Sequence, residues 1–193
     1  MKRICVYCGS SSGSMPEYVQ AARSLGKIIV ENNLSLVYGG ASVGLMGEVA
    51  DSVLQEGGEA IGIITNSLIE KEVAHKNLTN LHVVDTLSER KTMMAELSDG
   101  FVALPGGYGT LDELFEILTL AQLGFHNKPC GVLNVNSYFD KLFEFIDTAV
   151  SEQFIKDIHR SIILIDENPD VLIKKFFGYK APVVDKWINK NSK

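Results

Sequence analysis

Residues 3–13 read RICVYCGSSSG, an apolar run that ends in a turn of small residues. The residues that follow place Val19, Ala22 and Leu25 on one face at helical spacing, with Pro16 near the start of the segment. A buried strand, a glycine-rich turn and an amphipathic helix form the unit from which parallel α/β sheets are built. This stretch therefore predicts the first strand–turn–helix unit of such a sheet.

The same alternation continues to the end of the chain. Six further apolar runs predict strands near residues 34–38, 59–65, 81–85, 100–104, 130–135 and 161–165. Between them, the pattern predicts a loop with a short helix at 66–80, a helix opened by a capping box of Thr86 and Glu89, and helices that begin near Leu111 and at Asn136. Near-continuous apolar strands are typical of parallel sheets that are covered on both faces, and right-handed crossovers make such sheets doubly wound. The sequence thus predicts an α/β fold with a doubly wound, Rossmann-like parallel sheet and helices on both faces. We expect a single domain at residues 1–180 and a basic C-terminal tail at 181–193.

The composition excludes several classes of partner. The 193 residues carry a formal net charge of -6, whereas a nucleic-acid polymer needs a basic surface. No apolar run approaches the roughly 20 residues of a membrane helix. Three cysteines do not make a disulfide framework, which fits a reducing compartment. We therefore expect a cytoplasmic protein that binds neither a nucleic-acid polymer nor a membrane.

Two patterns that can indicate metal or redox chemistry are weak in this chain. Cys5 and Cys8 match C-x-x-C, but they lie in a predicted strand, where residues three apart point to opposite faces. The four histidines, at positions 75, 82, 126 and 159, have no metal-ligand spacing and are interpreted as surface or core residues. We predict no metal site.

Three predicted strand-to-helix turns, at residues 9–13, 39–47 and 106–110, are rich in small residues. Ligands of parallel sheets bind beyond the carboxyl ends of the strands, and helix N-termini offer unpaired amides to anions. The glycines can instead serve tight turns alone, but three such turns at one edge favour a ligand. Candidate contacts in the first two turns are Gly9, Ser10 and Gly40. Because dinucleotide and P-loop motifs are missing, a small phosphate such as a nucleoside monophosphate fits best.

The densest of these turns, at residues 105–113, reads PGGYGTLDE. Amides of Gly107, Gly109 and Thr110, together with the Thr110 hydroxyl, can ring a phosphate at the start of the next helix. Glu113 has two interpretations, as the partner of Thr110 in a capping box or as a carboxylate that does chemistry beside a cation. Residues 90–91, an arginine and a lysine, are either that cation source or a solvated helix face.

Residues 105–113 match the PGGxGTxxE signature of the "lonely guy" family, whose members resemble cytokinin riboside 5'-monophosphate phosphoribohydrolases and were often labelled lysine decarboxylases. The resemblance covers almost the whole chain. It includes CVYCGSSSG at 5–13, VYGG at 37–40, VGLMG at 43–47, ERKTMM at 89–94, AQLG at 121–124 and LNV at 133–135. One departure is Ala41, where the family often has a third glycine.

The resemblance implies an enzyme that hydrolyses the N-glycosidic bond of N6-substituted adenosine 5'-monophosphates and of AMP. The products are the free base and ribose 5-phosphate. It implies catalytic roles for Arg90 and Glu113, no metal or organic cofactor, and a homodimer or higher homo-oligomer. By the same resemblance, the substrate contacts are Glu72, Lys91, Gly106, Gly107, Tyr108, Gly109, Thr110, Leu111, Asp112 and Thr119.

Two other functions are compatible with the fold. A non-catalytic nucleotide- or cofactor-binding carrier is the main alternative, and the combination of Arg90 with Glu113 distinguishes the enzyme because binding alone does not need both. A pyridoxal-phosphate decarboxylase needs a Schiff-base lysine, and nothing in the sequence marks one.

Overall fold

A computed structural model describes residues 1–72 and 74–182 of the protein, and the side chains of residues 70–72 lie outside that description. The strands are β1 Arg3–Tyr7, β2 Ser35–Tyr38, β3 Ala60–Thr65, β4 Asn80–Val84, β5 Gly100–Ala103, β6 Cys130–Leu133 and β7 Ile163–Asp166. The α-helices are α1 Pro16–Glu31, α2 Gly44–Gln55, α3 Asn66–Glu72, α4 Leu87–Leu97, α5 Tyr108–Gln122, α6 Asp140–Ser151, α7 Asp157–Arg160 and α8 Pro169–Phe177.

The seven strands form one parallel sheet in the order β4-β3-β2-β1-β5-β6-β7. Side chains of β1 alternate between its faces, so that Ile4 and Val6 join a core with α1, α2 and α8. Cys5 and Tyr7 join the opposite core with α4 and α5, and α6 extends this layer. The predicted doubly wound α/β fold with helices on both faces is confirmed.

The strand order reverses between β1 and β5. The chain runs outward from β1 to β4 and then returns to β5 on the other side of β1. Helices α1 and α5 therefore leave their strands toward opposite faces of the sheet, which opens a crevice beyond the carboxyl ends of β1 and β5. The turns at residues 9–13 and 105–107 border this crevice.

Several boundaries differ from the sequence predictions. Helix α5 begins at Tyr108 with Gly107 as its N-cap, whereas the sequence predicted a start at Leu111. The helix predicted to begin at Asn136 begins instead at Asp140, because Asn136 and the next residue adopt positive φ. Residues 66–72, predicted as a loop with a short helix, form α3. The tail predicted at 181–193 lies outside the described residues from 183 onward.

No helix in the described part of the chain is both long and apolar enough to cross a bilayer.

Candidate active site

The first part of the candidate site is a cavity of about 310 Å³ at the crevice, which we call the glycine-turn cavity. Its walls are residues 9–13, 105–107, Tyr18, Leu45 and Tyr138. The Gly9 N–H donates to the Pro105 carbonyl at 3.1 Å, and the Gly9 carbonyl accepts from the Leu45 N–H at 3.1 Å. Of the sequence candidates, Gly9, Ser10, Gly106 and Gly107 therefore lie together.

The signature turn leads from this cavity into α5. A side chain at Gly106 is excluded, because a Cβ there would lie 2.1 Å from Thr110 Oγ1. Thr110 is buried inside the first turn of the helix and Gly107 is the N-cap, so the capping-box interpretation of Thr110 and Glu113 is wrong. The first helical amides, including those of Gly109 and Thr110, have no partner within the helix. They are donors near the cavity.

The second part of the site is a buried ion pair between α4 and α5. The α4 helix begins with the predicted capping box, in which Thr86 and Glu89 cap each other. One turn into this helix, Arg90 is 9% exposed and its Nη1 lies 3.6 Å from Glu113 Oε1. The Glu113 side chain is 12% exposed. The interpretation of Arg90 as a solvated side chain is wrong, and the two predicted catalytic residues are neighbours.

Two backbone carbonyls hold the guanidinium of Arg90 in place. Its Nε donates to the Ile63 carbonyl at 2.9 Å, and its Nη2 donates to the Gly39 carbonyl at 3.1 Å. A Cβ at Gly39 would lie 2.1 Å from Arg90 Nη2. The glycine turn after β2 therefore makes room for the arginine. The sequence did not predict this role for Gly39.

The groups around Glu113 on the sheet side are neutral. Burial, and then the charge of Glu113, raise the pKa of the Cys5 and Cys8 thiols well above their usual range. Burial also raises the pKa of the Tyr7 phenol, to which the nearby Cys5 and Glu113 add. All three groups keep their protons at neutral pH. Cys5 in β1 and Cys8 just after it join the cores on opposite faces of the sheet, as predicted, so they do not form a C-x-x-C redox pair.

The remaining α5 candidates line a separate open groove of about 590 Å³ on the outer side of the helix, which we call the outer groove. It includes Lys91, Tyr108, Leu111, Asp112 and Thr119. The Lys91 ammonium lies 3.0 Å from Asp112 and 2.8 Å from Glu116. Hydrogen bonding to Glu116, and then to Asp112, raises the pKa of Lys91 despite partial desolvation. The Tyr108 ring is 94% exposed.

Two other candidates, Gly40 and Glu72, remain. Gly40 is buried, and its carbonyl accepts from the His75 N–H at 3.0 Å, so it supports the segment after α3 and does not line the cavity. The side chain of Glu72 lies outside the described residues. Ala41, the departure from the family pattern, does not have positive φ and pairs with Ala74 in an isolated bridge. An alanine there is therefore unstrained.

Sequence reasoning missed two polar side chains near these turns. Tyr138 donates to the Gly106 carbonyl at 2.8 Å, and its position just after a strand at the carboxyl edge was a usable signal. His75, treated as an ordinary surface or core residue, lies 3.0 Å from Asp51 through its Nε2. No sequence pattern predicts the contact between His75 and Asp51, which are 24 positions apart.

Comparison with known proteins gives close relatives. The family model described as "Possible lysine decarboxylase" matches residues 46–176. A cytokinin riboside 5'-monophosphate phosphoribohydrolase of Arabidopsis thaliana is 46% identical over 191 residues, which are 99% of this chain and 89% of that protein. Its namesake from Oryza sativa subsp. japonica is 48% identical over 178 residues, covering 92% of this chain and 74% of that one.

Solved structures with the same fold are more distant. The molybdenum cofactor binding protein of Rippkaea orientalis has a TM-score of 0.69 and 22% identity, with 92% of this chain and 97% of that chain covered. The molybdenum cofactor carrier protein of Chlamydomonas reinhardtii has a TM-score of 0.69 and 20% identity, with 92% and 99% covered. These two likenesses concern the fold alone. By the family match and the plant relatives, the chain belongs to the "lonely guy" family of cytokinin riboside 5'-monophosphate phosphoribohydrolases.

Proposed function

We propose that the protein hydrolyses the N-glycosidic bond of cytokinin riboside 5'-monophosphates, and of AMP, to free base and ribose 5-phosphate. The observation that carries this proposal is the buried pair of Arg90 and Glu113, whose glutamate lies on the helix that follows the cavity-lining turn 105–107. Both plant relatives described above bear the name of this activity. Amides suit the 5'-phosphate, whereas the buried pair suits the reacting sugar.

The chemistry assigned to the pair follows from where charge develops. Cleavage of the bond gives the sugar oxocarbenium character, which a carboxylate stabilises. Glu113 performs this role and helps to remove a proton from the attacking water. Arg90 has two of its nitrogens committed to carbonyls, so Nη1 orients Glu113 and stabilises negative charge on the departing base. Anchoring the phosphate holds the sugar in reach of both.

We further propose that the protein works in the cytoplasm as a homodimer or larger homo-oligomer. Exposed apolar side chains lie along α5 and just beyond its end and support such an association; they are Tyr108, Phe115, Leu123 and Phe125. Lys91, Leu111, Asp112 and Thr119 in the outer groove, and Glu72, are then substrate contacts in the assembled enzyme. Light scattering of the purified protein tests the association, and a monomer at assay concentration contradicts it.

A product assay tests the activity. We expect base release from N6-substituted and unsubstituted adenosine 5'-monophosphates, and far less from the same nucleosides without the phosphate. Glu113→Gln and Arg90→Ala should abolish release while each protein stays folded, whereas the exposed control Glu144→Gln should retain it. Tight AMP binding without any product would instead indicate a carrier. Full turnover by Glu113→Gln would remove the roles assigned here.

A further inference from the structure

A tyrosine from outside the glycine turns holds the backbone of the signature turn. The Tyr138 hydroxyl donates to the Gly106 carbonyl at 2.8 Å, and its side chain forms part of the wall of the glycine-turn cavity. Its ring packs edge-on against Tyr18 and Phe139, at centroid distances of 5.8 and 4.9 Å. Aromatic packing thus directs the ring while the hydroxyl reaches the turn.

The segment that presents Tyr138 is held in an unfavourable backbone conformation. Asn136 and Ser137 have φ of 50° and 57°, a region that residues with a side chain rarely occupy. Asn134 fixes the segment from the other side, since its Nδ2 donates to Asp140 at 2.7 Å and its Oδ1 accepts from the Phe139 N–H at 2.8 Å. Strain that the surroundings maintain in this way clusters at functional sites.

The hydrogen bond from Tyr138 has a consequence for the neighbouring amide. The described residues contain no cis peptide bond, so the Gly106 carbonyl and the Gly107 N–H belong to one planar trans unit and point in opposite directions. Fixing the carbonyl therefore fixes the direction in which the Gly107 N–H donates. Gly107 has no side chain and a Cβ there would meet nothing within 4 Å, so no side-chain packing fixes the Gly107 end of this peptide.

We propose that Tyr138 is a positioning residue for the 5'-phosphate, acting through the Gly106–Gly107 peptide. This inference rests on the proposed function, because it assigns the glycine-turn cavity to the phosphate of that substrate. It predicts that loss of the hydroxyl weakens binding of phosphorylated ligands and leaves the chemistry at Arg90 and Glu113 unchanged.

Tyr138→Phe tests the proposal, since it removes the hydroxyl and keeps the ring. Tyr179→Phe is a matched control, because Tyr179 follows α8 and does not line the cavity. The loss of one hydrogen bond should raise the dissociation constants of AMP and ribose 5-phosphate about 3- to 10-fold by calorimetry. We expect KM for the nucleoside monophosphate to rise by the same factor and kcat to stay within about twofold. Binding of adenosine, which lacks the phosphate, should not change.

The outcomes separate this inference from the proposed function. Unchanged AMP binding by folded Tyr138→Phe overturns the inference, and so does an equal loss for adenosine and AMP, which a merely structural role would cause. If the wild-type protein binds AMP but releases no base, the proposed function fails while the calorimetry still tests Tyr138. If the wild-type protein does not bind AMP, both fail.

Discussion

A single methyl group at Gly39 should displace the guanidinium of Arg90. The Cβ of an alanine would lie 2.1 Å from Nη2, whereas ordinary contact begins at 3.4 Å, so the guanidinium must retreat by about 1.3 Å. The 3.1 Å hydrogen bond to the Gly39 carbonyl is then lost. Gly39 does not have positive φ, so its backbone accepts alanine without strain. The substitution therefore acts on the arginine.

The expected magnitude follows from that displacement. A catalytic group that is misplaced by about 1 Å costs on the order of 100-fold in rate, so kcat/KM of Gly39→Ala should fall by about that factor. Overpacking should lower the free energy of unfolding by about 1–3 kcal/mol, and a domain of this size loses about 2–4 °C of melting temperature per kcal/mol. Base release at 25 °C and thermal unfolding, measured on the same preparation, give both quantities.

Two comparisons make the test specific. Gly178→Ala is the matched control, because its Cβ would approach nothing closer than 3.9 Å, and it should retain wild-type turnover. In an Arg90→Ala background, Gly39→Ala should cause little further loss, since the group it displaces is already gone. Turnover within about twofold of wild type in folded Gly39→Ala would refute the reasoning.

Two further predictions concern histidines that have no role in the proposed reaction. Asp51→Ala removes the 3.0 Å partner of His75 Nε2 and leaves a buried donor unpaired. The free energy of unfolding, measured by chemical denaturation, should therefore fall by about 1–3 kcal/mol. An unchanged free energy of unfolding would contradict this prediction. Burial, reinforced by Lys128, lowers the pKa of His126 although its hydrogen bond to Ile117 opposes the shift. The unfolded chain therefore binds this proton more readily, so stability is full above about pH 6.5 and falls as the pH drops toward the folded pKa. The melting temperature should fall less between pH 7.5 and 5.5 in His126→Gln than in wild type, and an equal fall would be inconsistent with this shift.

The sheet was predictable because its signal is local. Each strand is an apolar run next to a turn, and the helical spacing of apolar residues after each turn identifies a helix. The errors occurred where backbone conformation, not side-chain pattern, decides the boundary. At Asn136 a polar residue after a strand resembled a helix start, but positive φ delays α6 to Asp140. At the signature turn the helix begins three residues early, because Gly107 caps it without a side chain.

The site was predictable in composition but not in arrangement. The signature and the Arg-Lys pair selected Arg90 and Glu113, which the fold brings within 3.6 Å across 23 positions of sequence. Lys91, the next residue, points with Asp112 and Glu116 into the outer groove, because consecutive residues of a helix face different directions. No one-dimensional pattern shows which carbonyls hold Arg90, since that depends on how far β2 and β3 extend beside α4.

The three glycine turns do different work, and this explains how an acidic chain can hold an anion. The turns after β1 and β5 line the glycine-turn cavity, where small residues leave room for a ligand to approach the backbone. The turn after β2 instead leaves room at Gly39 for the guanidinium of Arg90. The same turn packs against Ser10 at Gly44, where a Cβ would lie 2.3 Å from the Ser10 backbone. In the proposed function, backbone dipoles bind the phosphate and leave the buried cation free of that task. Arg90 is therefore available to Glu113, and a net charge of -6 is compatible with both steps.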